Sequence, residues 1–267
     1  MNQKLSLLLI GLVSLVLVQA CGSIGSKTEG IQEVRTVDTT LTDTTQQITE
    51  NKPPVINDMK KHNTEVATCV TKYRRSPINI TTPGEQKEHS LKFKYVSAHE
   101  VVENLGHTVK LLYDKGSELT FDGKNYRLVQ FHFHTPAEHR INADEFPMEM
   151  YLVHRGADST YLVVSLLFNE GEENSFLKSF ISDIPKKTVE TTESKKEIDL
   201  TNLFPKDERF YTYAGSLTNP PYTEGVRWVI FRQPVTCSKA QVEVFKKIGG
   251  FNARNLQPMN LRKIEEF

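Results

Sequence analysis

The sequence of 267 residues has no excess of charge of either sign, because 33 lysines and arginines balance 33 aspartates and glutamates. It also has no Lys/Arg-rich stripe interleaved with aromatic residues. Proteins that bind nucleic acid use such basic surfaces to neutralise phosphates. The composition therefore argues against a nucleic-acid partner. The length suits one ordinary globular domain with extensions.

Apolar runs long enough to span a membrane are also missing. The run at residues 5–18 is shorter than the ~20 residues that cross a bilayer, and the small residue Ala20 follows it. This pattern is typical of an export signal over residues 1–20. The sequence Val18-Gln19-Ala20-Cys21 resembles a bacterial lipoprotein processing site, at which Cys21 would be lipidated. We expect an exported lipoprotein, anchored in a membrane and facing the periplasm or the cell surface. The alternative is ordinary secretion with cleavage nearby.

The segment that follows, residues 21–63, is rich in threonine and lacks aromatic residues. Such a composition cannot bury enough apolar surface to order itself. We interpret it as a flexible tether between the lipid anchor and a single domain over residues 64–267. About forty flexible residues span on the order of 35 Å, enough to hold the domain clear of a membrane.

Cysteine is scarce, with only three in the chain. Once Cys21 is set aside, Cys69 and Cys237 remain as an even pair. In an oxidising compartment this pair could form one disulfide. The sequence alone does not show that the two residues meet.

The rest of the chain is dominated by short segments with strand character between turn signals. These segments are residues 91–95, 108–113, 126–134, 148–155, 161–168 and 226–233. Helical patterns are few, at residues 174–184 and 238–248, and open with Asn174 and Ser238 as N-caps. The sequence predicts a mainly β (α+β) domain with a few peripheral helices.

One predicted strand carries two histidines, His132 and His134, in the run Gln130-Phe-His-Phe-His134. Successive side chains on a strand point to opposite faces, so Leu128, Gln130 and the two histidines are expected to share one face. Val129, Phe131 and Phe133 are then expected on the other. Zinc prefers nitrogen ligands in fixed directions, and such a pair supplies two from a stiff support. The alternative is that both are polar residues on a solvated strand face.

Eight segments, in order along the chain, closely resemble the α-carbonic anhydrases. They are Ser76-Pro-Ile-Asn-Ile80, Asn104-Leu-Gly-His-Thr-Val109, Gln130-Phe-His-Phe-His134, Ala137-Glu-His139, Phe146-Pro-Met-Glu-Met-Tyr-Leu-Val-His154, Gly215-Ser-Leu-Thr-Asn-Pro-Pro221, Glu224-Gly-Val-Arg-Trp228, and Asn252-Ala-Arg254 with Gln257-Pro258. The resemblance covers roughly residues 69–264. It implies a large, mostly antiparallel, twisted sheet with a conical cavity that reaches a zinc ion.

The resemblance also places one unexpected residue at the metal site. The family holds zinc with three histidines, and His132 and His134 match the first two, whereas Tyr151 occupies the third position. Its oxygen lies at the end of a rigid ring, and a phenol has an unperturbed pKa of about 10. Losing a first ligand should cost more than the ~10–100-fold typical of outer partners, so we expect doubtful zinc occupancy. The alternative is that Tyr151 swings aside or binds as phenolate.

Other matches imply roles for residues around the cavity. His107 matches the proton shuttle, Thr218 the threonine that orients the attacking hydroxide, and Glu138 the carboxylate that orients Thr218. Gln130 and Glu149 match the partners of the metal-binding imidazoles, and a hydrogen bond from Tyr151 to Glu149 is a reasonable substitute. The residues that match the apolar wall for carbon dioxide are Val153, Val163, Leu217, Val226 and Trp228.

Some features of the chain depart from that family or belong to no catalytic pattern. No Trp-x-Tyr-x-Gly segment precedes Cys69, which suggests a more open cavity, and Tyr222 stands where a cysteine often follows the Pro-Pro pair. His139 and His154 are expected to be hydrogen-bonded structural histidines. Ser216 has no Gly-x-Ser-x-Gly elbow around it, which argues against a serine hydrolase.

Two functional hypotheses follow from the resemblance. The first is reversible hydration of carbon dioxide to bicarbonate and a proton at a zinc site, weakened by Tyr151. The second is a catalytically inactive, carbonic-anhydrase-related lipoprotein that binds a ligand or partner. The retained His107, Thr218 and Glu138 favour the first, and Tyr151 favours the second.

Overall fold

A computed structural model of the chain describes residues 73–113 and 116–267, without the side chain of Lys195. The export signal, Cys21, the tether and Cys69 lie outside the described residues, so those interpretations stay predictions. Within the described ranges, no helix is long and apolar enough to cross a membrane.

The described part of the chain is built mainly from short strands. They are β1 (Asn79–Ile80), β2 (Glu85–Gln86), β3 (Leu91–Lys94), β4 (Ala98–Asn104), β5 (Val109–Leu112), β6 (Glu118–Phe121), β7 (Lys124–His134), β8 (Arg140–Ile141), β9 (Met148–Gly156), β10 (Tyr161–Glu170), β11 (Glu190–Ile198), β12 (Phe210–Ser216), β13 (Glu224–Phe231), β14 (Val235–Cys237) and β15 (Glu265–Glu266). The helices are α1 (Ser175–Phe180), a 3₁₀ turn (Ile181–Asp183) and α2 (Lys239–Gly249).

Thirteen of these strands form one mixed, mostly antiparallel sheet, in which the central order is β4-β5-β7-β9-β10-β13-β12. The parallel pairs in it are β10 with β13, β10 with β14, and β15 with β2. The predicted mainly β fold with few helices is therefore confirmed. All six predicted strands are present, whereas the other nine described strands, of which β4, β11 and β12 are the longest, lay outside the predicted segments.

Two apolar cores cover the two faces of the central strands. On β9, Met150 and Leu152 pack into one core, and Tyr151 and Val153 pack into the other with Trp228. This division follows from the alternation of side chains along a strand. Tyr151 and Val153 therefore lie on the same face of β9.

A bulge changes the phase of β7. Leu128 pairs with His154 and Gln130 with Val153, so Val129 is one residue too many on this strand. Leu128 consequently packs in the same core as Phe131 and Phe133. The prediction that Leu128 shares a face with the histidines was wrong, because strict alternation breaks where two residues oppose one.

The two helices begin where the sequence indicated. The Asn174 side chain accepts a hydrogen bond from the Leu177 N–H, and Ser238 and Gln241 form a capping box. These contacts satisfy amide groups that the first helical turn leaves without partners. Just before α2, Cys237 is a buried free thiol whose pKa burial raises to about 11. Its suggested partner Cys69 lies outside the described residues.

A buried carboxyl group, Glu100, lies on β4 opposite an irregularity in β11. Its side chain is fully buried, and Asp183 and Ser194 lie beside it. Burial raises the pKa of Glu100, and the carboxylate of Asp183 raises it further, to about 7, while Lys196 partly opposes the shift. Glu100 therefore changes charge near neutral pH.

We expect this group to make the protein less stable as the pH rises. A pKa raised on folding stabilises fully below the unfolded value near 4.5, and that contribution is lost as pH passes about 7. Glu100→Gln should therefore remove part of the decline between pH 5 and 8, by roughly 1–2 kcal/mol. Urea unfolding at each pH measures this. Glu103→Gln, on the same strand and paired with Lys110, is the control, and an equal effect there would contradict the assignment.

Candidate active site

The two histidines and the tyrosine predicted at the metal site lie on neighbouring strands. In the register of β7 with β9, His132 is opposite Tyr151 and His134 is opposite Glu149. On the other side of β7, Lys110 of β5 is opposite His132. Since directly opposed side chains on one face are in contact range, the sheet brings all three predicted metal-site positions together.

Both imidazoles are oriented through their Nδ1 atoms. His132 Nδ1 lies 3.0 Å from Gln130 Oε1, and His134 Nδ1 lies 3.4 Å from the carbonyl oxygen of Asn252. These oxygens can only accept, so each Nδ1 carries the proton and each Nε2 of the neutral ring offers a lone pair. Burial, with His134 and Lys110 nearby, lowers the pKa of His132 well below its usual value. The geometry of Gln130 agrees with the role that the resemblance implied.

Tyr151 fills the space beside the imidazoles of His132 and His134, and its hydroxyl bonds to neither of them. Its side chain is 1% exposed, and its ring centre lies 5.5 Å from that of His132 and 4.7 Å from that of His134. The hydroxyl donates to Glu138 Oε2 at 2.8 Å and lies 3.3 Å from Glu149 Oε2. The expected contact with Glu149 is thus present, but the shorter bond is to Glu138.

The protonation of Tyr151 follows from the same surroundings. Burial, and then the negative charges of Glu138 and Glu149, raise the pKa of the phenol well above its usual value of 10.0. The phenol therefore stays protonated and acts as a hydrogen-bond donor. These surroundings oppose the alternative in which Tyr151 ligates a metal as phenolate.

The hydrogen bond from Tyr151 changes what Glu138 can do. Its Oε2 accepts from the phenol, and its Oε1 accepts from the Arg254 backbone N–H at 2.8 Å. Thr218 lines the same cavity, but no hydrogen bond joins Thr218 and Glu138, both of which the structure describes. The carboxylate expected to orient Thr218 instead accepts hydrogen bonds from two other donors.

Glu149 is the centre of a buried polar network behind the cavity. Its Oε1 lies 2.8 Å from His139 Nδ1 and accepts from Ser165, and its Oε2 accepts from the backbone of Glu138 and His139. Burial alone would raise the pKa of Glu149, but His139 and these hydrogen bonds outweigh it and lower the pKa. His139 also contacts the Tyr213 hydroxyl at 2.7 Å, which makes it the hydrogen-bonded structural histidine that the sequence predicted. His154, bonded to Tyr95 at 2.7 Å, is a second one.

An open cavity of about 530 Å³ lies over the two histidines. It brings together the predicted residues His107, Gln130, His132, His134, Glu138 and Thr218. His134 Nε2 is buried and has no hydrogen-bond partner among the described residues. The residues predicted to receive carbon dioxide belong to the second core together with Tyr151, or pack against it in the case of Leu217; they are Val153, Val163, Leu217, Val226 and Trp228. The roles of these residues stay predictions.

Some residues of the cavity had no role in the sequence analysis. Asn252 donates from its side chain to the carbonyl of His107 at 2.6 Å and to that of Phe133 at 3.1 Å. Its own carbonyl faces His134, so one residue joins the loop of His107 to the end of β7. The motif Asn252-Ala-Arg254 marked this segment in the sequence, but a tripeptide gives no sign of which strands it touches.

The described side chains at this site supply too few ligands for a catalytic zinc ion. A catalytic zinc site takes three protein ligands, and His132 and His134 supply two with suitable tautomers. The third donor is missing, since the phenol of Tyr151 is bonded to carboxylates. Among the described residues, no group of three or more histidine, cysteine, aspartate or glutamate side chains could hold a metal ion. The residues present therefore do not fit a three-ligand zinc site.

Comparisons with known proteins agree on one family. Residues 57–267 match the family model described as eukaryotic-type carbonic anhydrase. A carbonic anhydrase of Neisseria gonorrhoeae is 37% identical over 204 residues, which cover 76% of this chain and 81% of that protein. The structure of an α-carbonic anhydrase from Photobacterium profundum is 35% identical in sequence, with a TM-score of 0.69. The match covers 81% of this chain and 100% of that chain. A structure described as dioscorin complexed with ascorbate is 31% identical, with a TM-score of 0.69 over 75% of this chain and 88% of that one.

Proposed function

Because the chain belongs to the eukaryotic-type carbonic anhydrase family, we propose that its cavity is the carbon dioxide site of that family in a weakened form. The reversible hydration of carbon dioxide to bicarbonate is the reaction, and Tyr151 reduces both zinc binding and rate. The observation that carries this proposal is the 2.8 Å hydrogen bond from the Tyr151 hydroxyl to Glu138.

This single bond affects two parts of the site. It ties the phenol hydroxyl to a carboxylate, so the third metal ligand is missing. It also brings Glu138 to Tyr151, and among the described residues no hydrogen bond joins Glu138 to Thr218. Zinc, when bound, would lower the pKa of bound water in this family, and the chain keeps two of the three groups that would hold it. Because zinc would bind weakly and Thr218 would not be oriented, we expect the protein to hydrate carbon dioxide slowly.

Other parts of the cavity support the assignment of substrate. His107 lines the cavity, where the resemblance assigns it the transfer of a proton to solvent. The Trp228 ring lies 4.8 Å from the ring of Tyr151, and Val163 belongs to the same apolar core. These placements match the reaction class of the family.

The native protein provides the direct test. Equilibrium dialysis against micromolar zinc should leave less than stoichiometric metal, and stopped-flow assays should show slow hydration that is above the uncatalysed rate and rises with zinc concentration. Tyr151→Phe is the matched control, because it keeps the ring and removes only the hydroxyl, and it should also bind little zinc. Stoichiometric zinc with rapid hydration by the native protein would overturn the proposal.

A second candidate function is a non-catalytic member of the family that binds a ligand in the same cavity. The lack of a third metal ligand among the described residues favours it, because a catalytic zinc site takes three protein ligands. The dioscorin structure supports the idea that a related fold holds a small molecule. The two candidates differ in outcome, since the second requires no measurable hydration at any zinc concentration.

A further inference from the structure

A short loop at the mouth of the cavity carries Thr218. This mouth loop, residues 217–223, connects β12 to β13, and Thr218, Asn219 and Tyr222 line the cavity. Two backbone hydrogen bonds close it, from Leu217 N to Thr223 O at 2.9 Å and from Tyr222 N to Asn219 O at 2.8 Å. The position of Thr218 therefore depends on what holds the loop as a whole.

The backbone of Tyr222 has an unfavourable conformation. Its φ is +61°, in the left-handed region that a bulky side chain rarely adopts. Such a conformation costs of order 1–3 kcal/mol and persists only where the surroundings impose it. Contacts of the Tyr222 side chain and carbonyl are therefore expected to compensate for the cost of this backbone conformation.

Two arginines supply these contacts. The guanidinium carbon of Arg254 lies 3.8 Å from the ring centre of Tyr222, and that of Arg75 lies 5.5 Å from it. Arg75 also donates to the Tyr222 carbonyl at 2.9 Å. A cation over an aromatic ring is attracted by the negative face of the ring, more so when partly desolvated. We call Arg75, Tyr222 and Arg254 the arginine clamp.

The arginines are fixed in turn to the body of the domain. Arg254 donates from its side chain to the Ser76 carbonyl at 2.6 Å and from its backbone to Glu138 at 2.8 Å. Arg75 pairs with Glu224, the first residue after the loop, at 3.4 Å. The clamp thus connects the mouth loop to Ser76 on one side and to the cavity floor on the other.

We propose that Tyr222 is the positioning residue of the mouth loop and that the arginine clamp holds Thr218 at the cavity. The clamp itself rests on the contacts above. Only the consequence for hydration rests on the proposed function. Tyr222 touches no reacting atom in this assignment and acts through the loop.

Amide hydrogen exchange tests the clamp in the native protein. Tyr222→Ala should speed exchange of the amides of residues 217 and 222 at least about tenfold, because the cation–π contacts are lost. Tyr222→Phe keeps the ring and should exchange like the native protein. Tyr222→Gly tolerates the positive φ, so rapid exchange there as well assigns the effect to the ring rather than to backbone strain. Amides of β9 and β10 should exchange at the native rate in every variant.

Two results would overturn the clamp. One is slow exchange at residues 217 and 222 in Tyr222→Ala, and the other is rapid exchange in Tyr222→Phe. The effect on chemistry is read separately in zinc-loaded Tyr151→His protein, where adding Tyr222→Ala should lower kcat several-fold and adding Tyr222→Phe should not. If Tyr151→His itself shows no hydration, the proposed function fails, whereas the exchange result still decides the clamp.

Discussion

Replacing Tyr151 with histidine is expected to raise zinc affinity by more than about 100-fold and to produce clear carbon dioxide hydration. The magnitude follows because changes to outer partners of a metal site already cost ~10–100-fold, and this change restores a ligand. An imidazole at this position would face His132 across the strand pair. It would also release Glu138 from its hydrogen bond with the phenol, leaving that carboxylate available to Thr218.

The measurement combines competition with a zinc chelator and stopped-flow hydration on native, Tyr151→His and Tyr151→Phe proteins. Tyr151→Phe releases Glu138 without supplying a ligand, so it separates the two effects. A Tyr151→His protein that folds, as judged by its circular dichroism, yet gains neither zinc nor activity would show that residue 151 is not the third ligand position.

Loss of the Glu149 charge is expected to destabilise the protein by about 3–5 kcal/mol, because several buried donors would lose the charged acceptor that they share. Glu149 is fully buried and faces His139 at 2.8 Å. Its other oxygen accepts hydrogen bonds from two backbone N–H groups. The amide of a glutamine in its place would direct an NH2 group, which is itself a donor, at groups that also donate. Glu149→Gln should therefore lower the free energy of unfolding in urea by this amount.

The control for this experiment is an ion pair at the surface. Lys124 and Asp158 are 2.7 Å apart and both exposed, and such pairs contribute about 0–1 kcal/mol. Asp158→Asn should thus lower the free energy of unfolding far less than Glu149→Gln does. Equal losses in the two variants would contradict the interpretation of Glu149 as the centre of the buried network. The lowered pKa of Glu149 gives a second sign, since its contribution is present above pH 4.5 and lost on acidification below it.

The strands that carry the site could be predicted because their side chains clearly alternate in type with a period of two residues. The run from Gln130 to His134 alternates aromatic and polar residues, and the caps Asn174 and Ser238 precede real helices. β11 was missed because Glu190–Ile198 is a polar edge strand with little apolar alternation. β12 was missed for the opposite reason, since Phe210–Ser216 is buried on nearly every residue and shows no contrast between faces.

The sequence could also predict that His132, His134 and Tyr151 lie close together, but it could not predict the partner of Tyr151. Sequence spacing places Glu149 two residues away on the same strand face, which made it the expected acceptor. Glu138 lies in a separate loop, and only the packed structure brings its Oε2 to 2.8 Å from the phenol. A choice among three nearby acceptors depends on differences of a few tenths of an ångström, which no pattern in the chain encodes.

The bulge at Val129 has a consequence for how this sequence can change over time. Before it, Tyr126 and Leu128 fill the interior, and after it Gln130, His132 and His134 face the cavity, although all belong to β7. Because of the one extra residue, the first half of the strand contributes side chains to the interior and the second half contributes side chains to the cavity. A substitution in the cavity half therefore leaves the side chains of the interior half in place, so the cavity can be altered without changing the core.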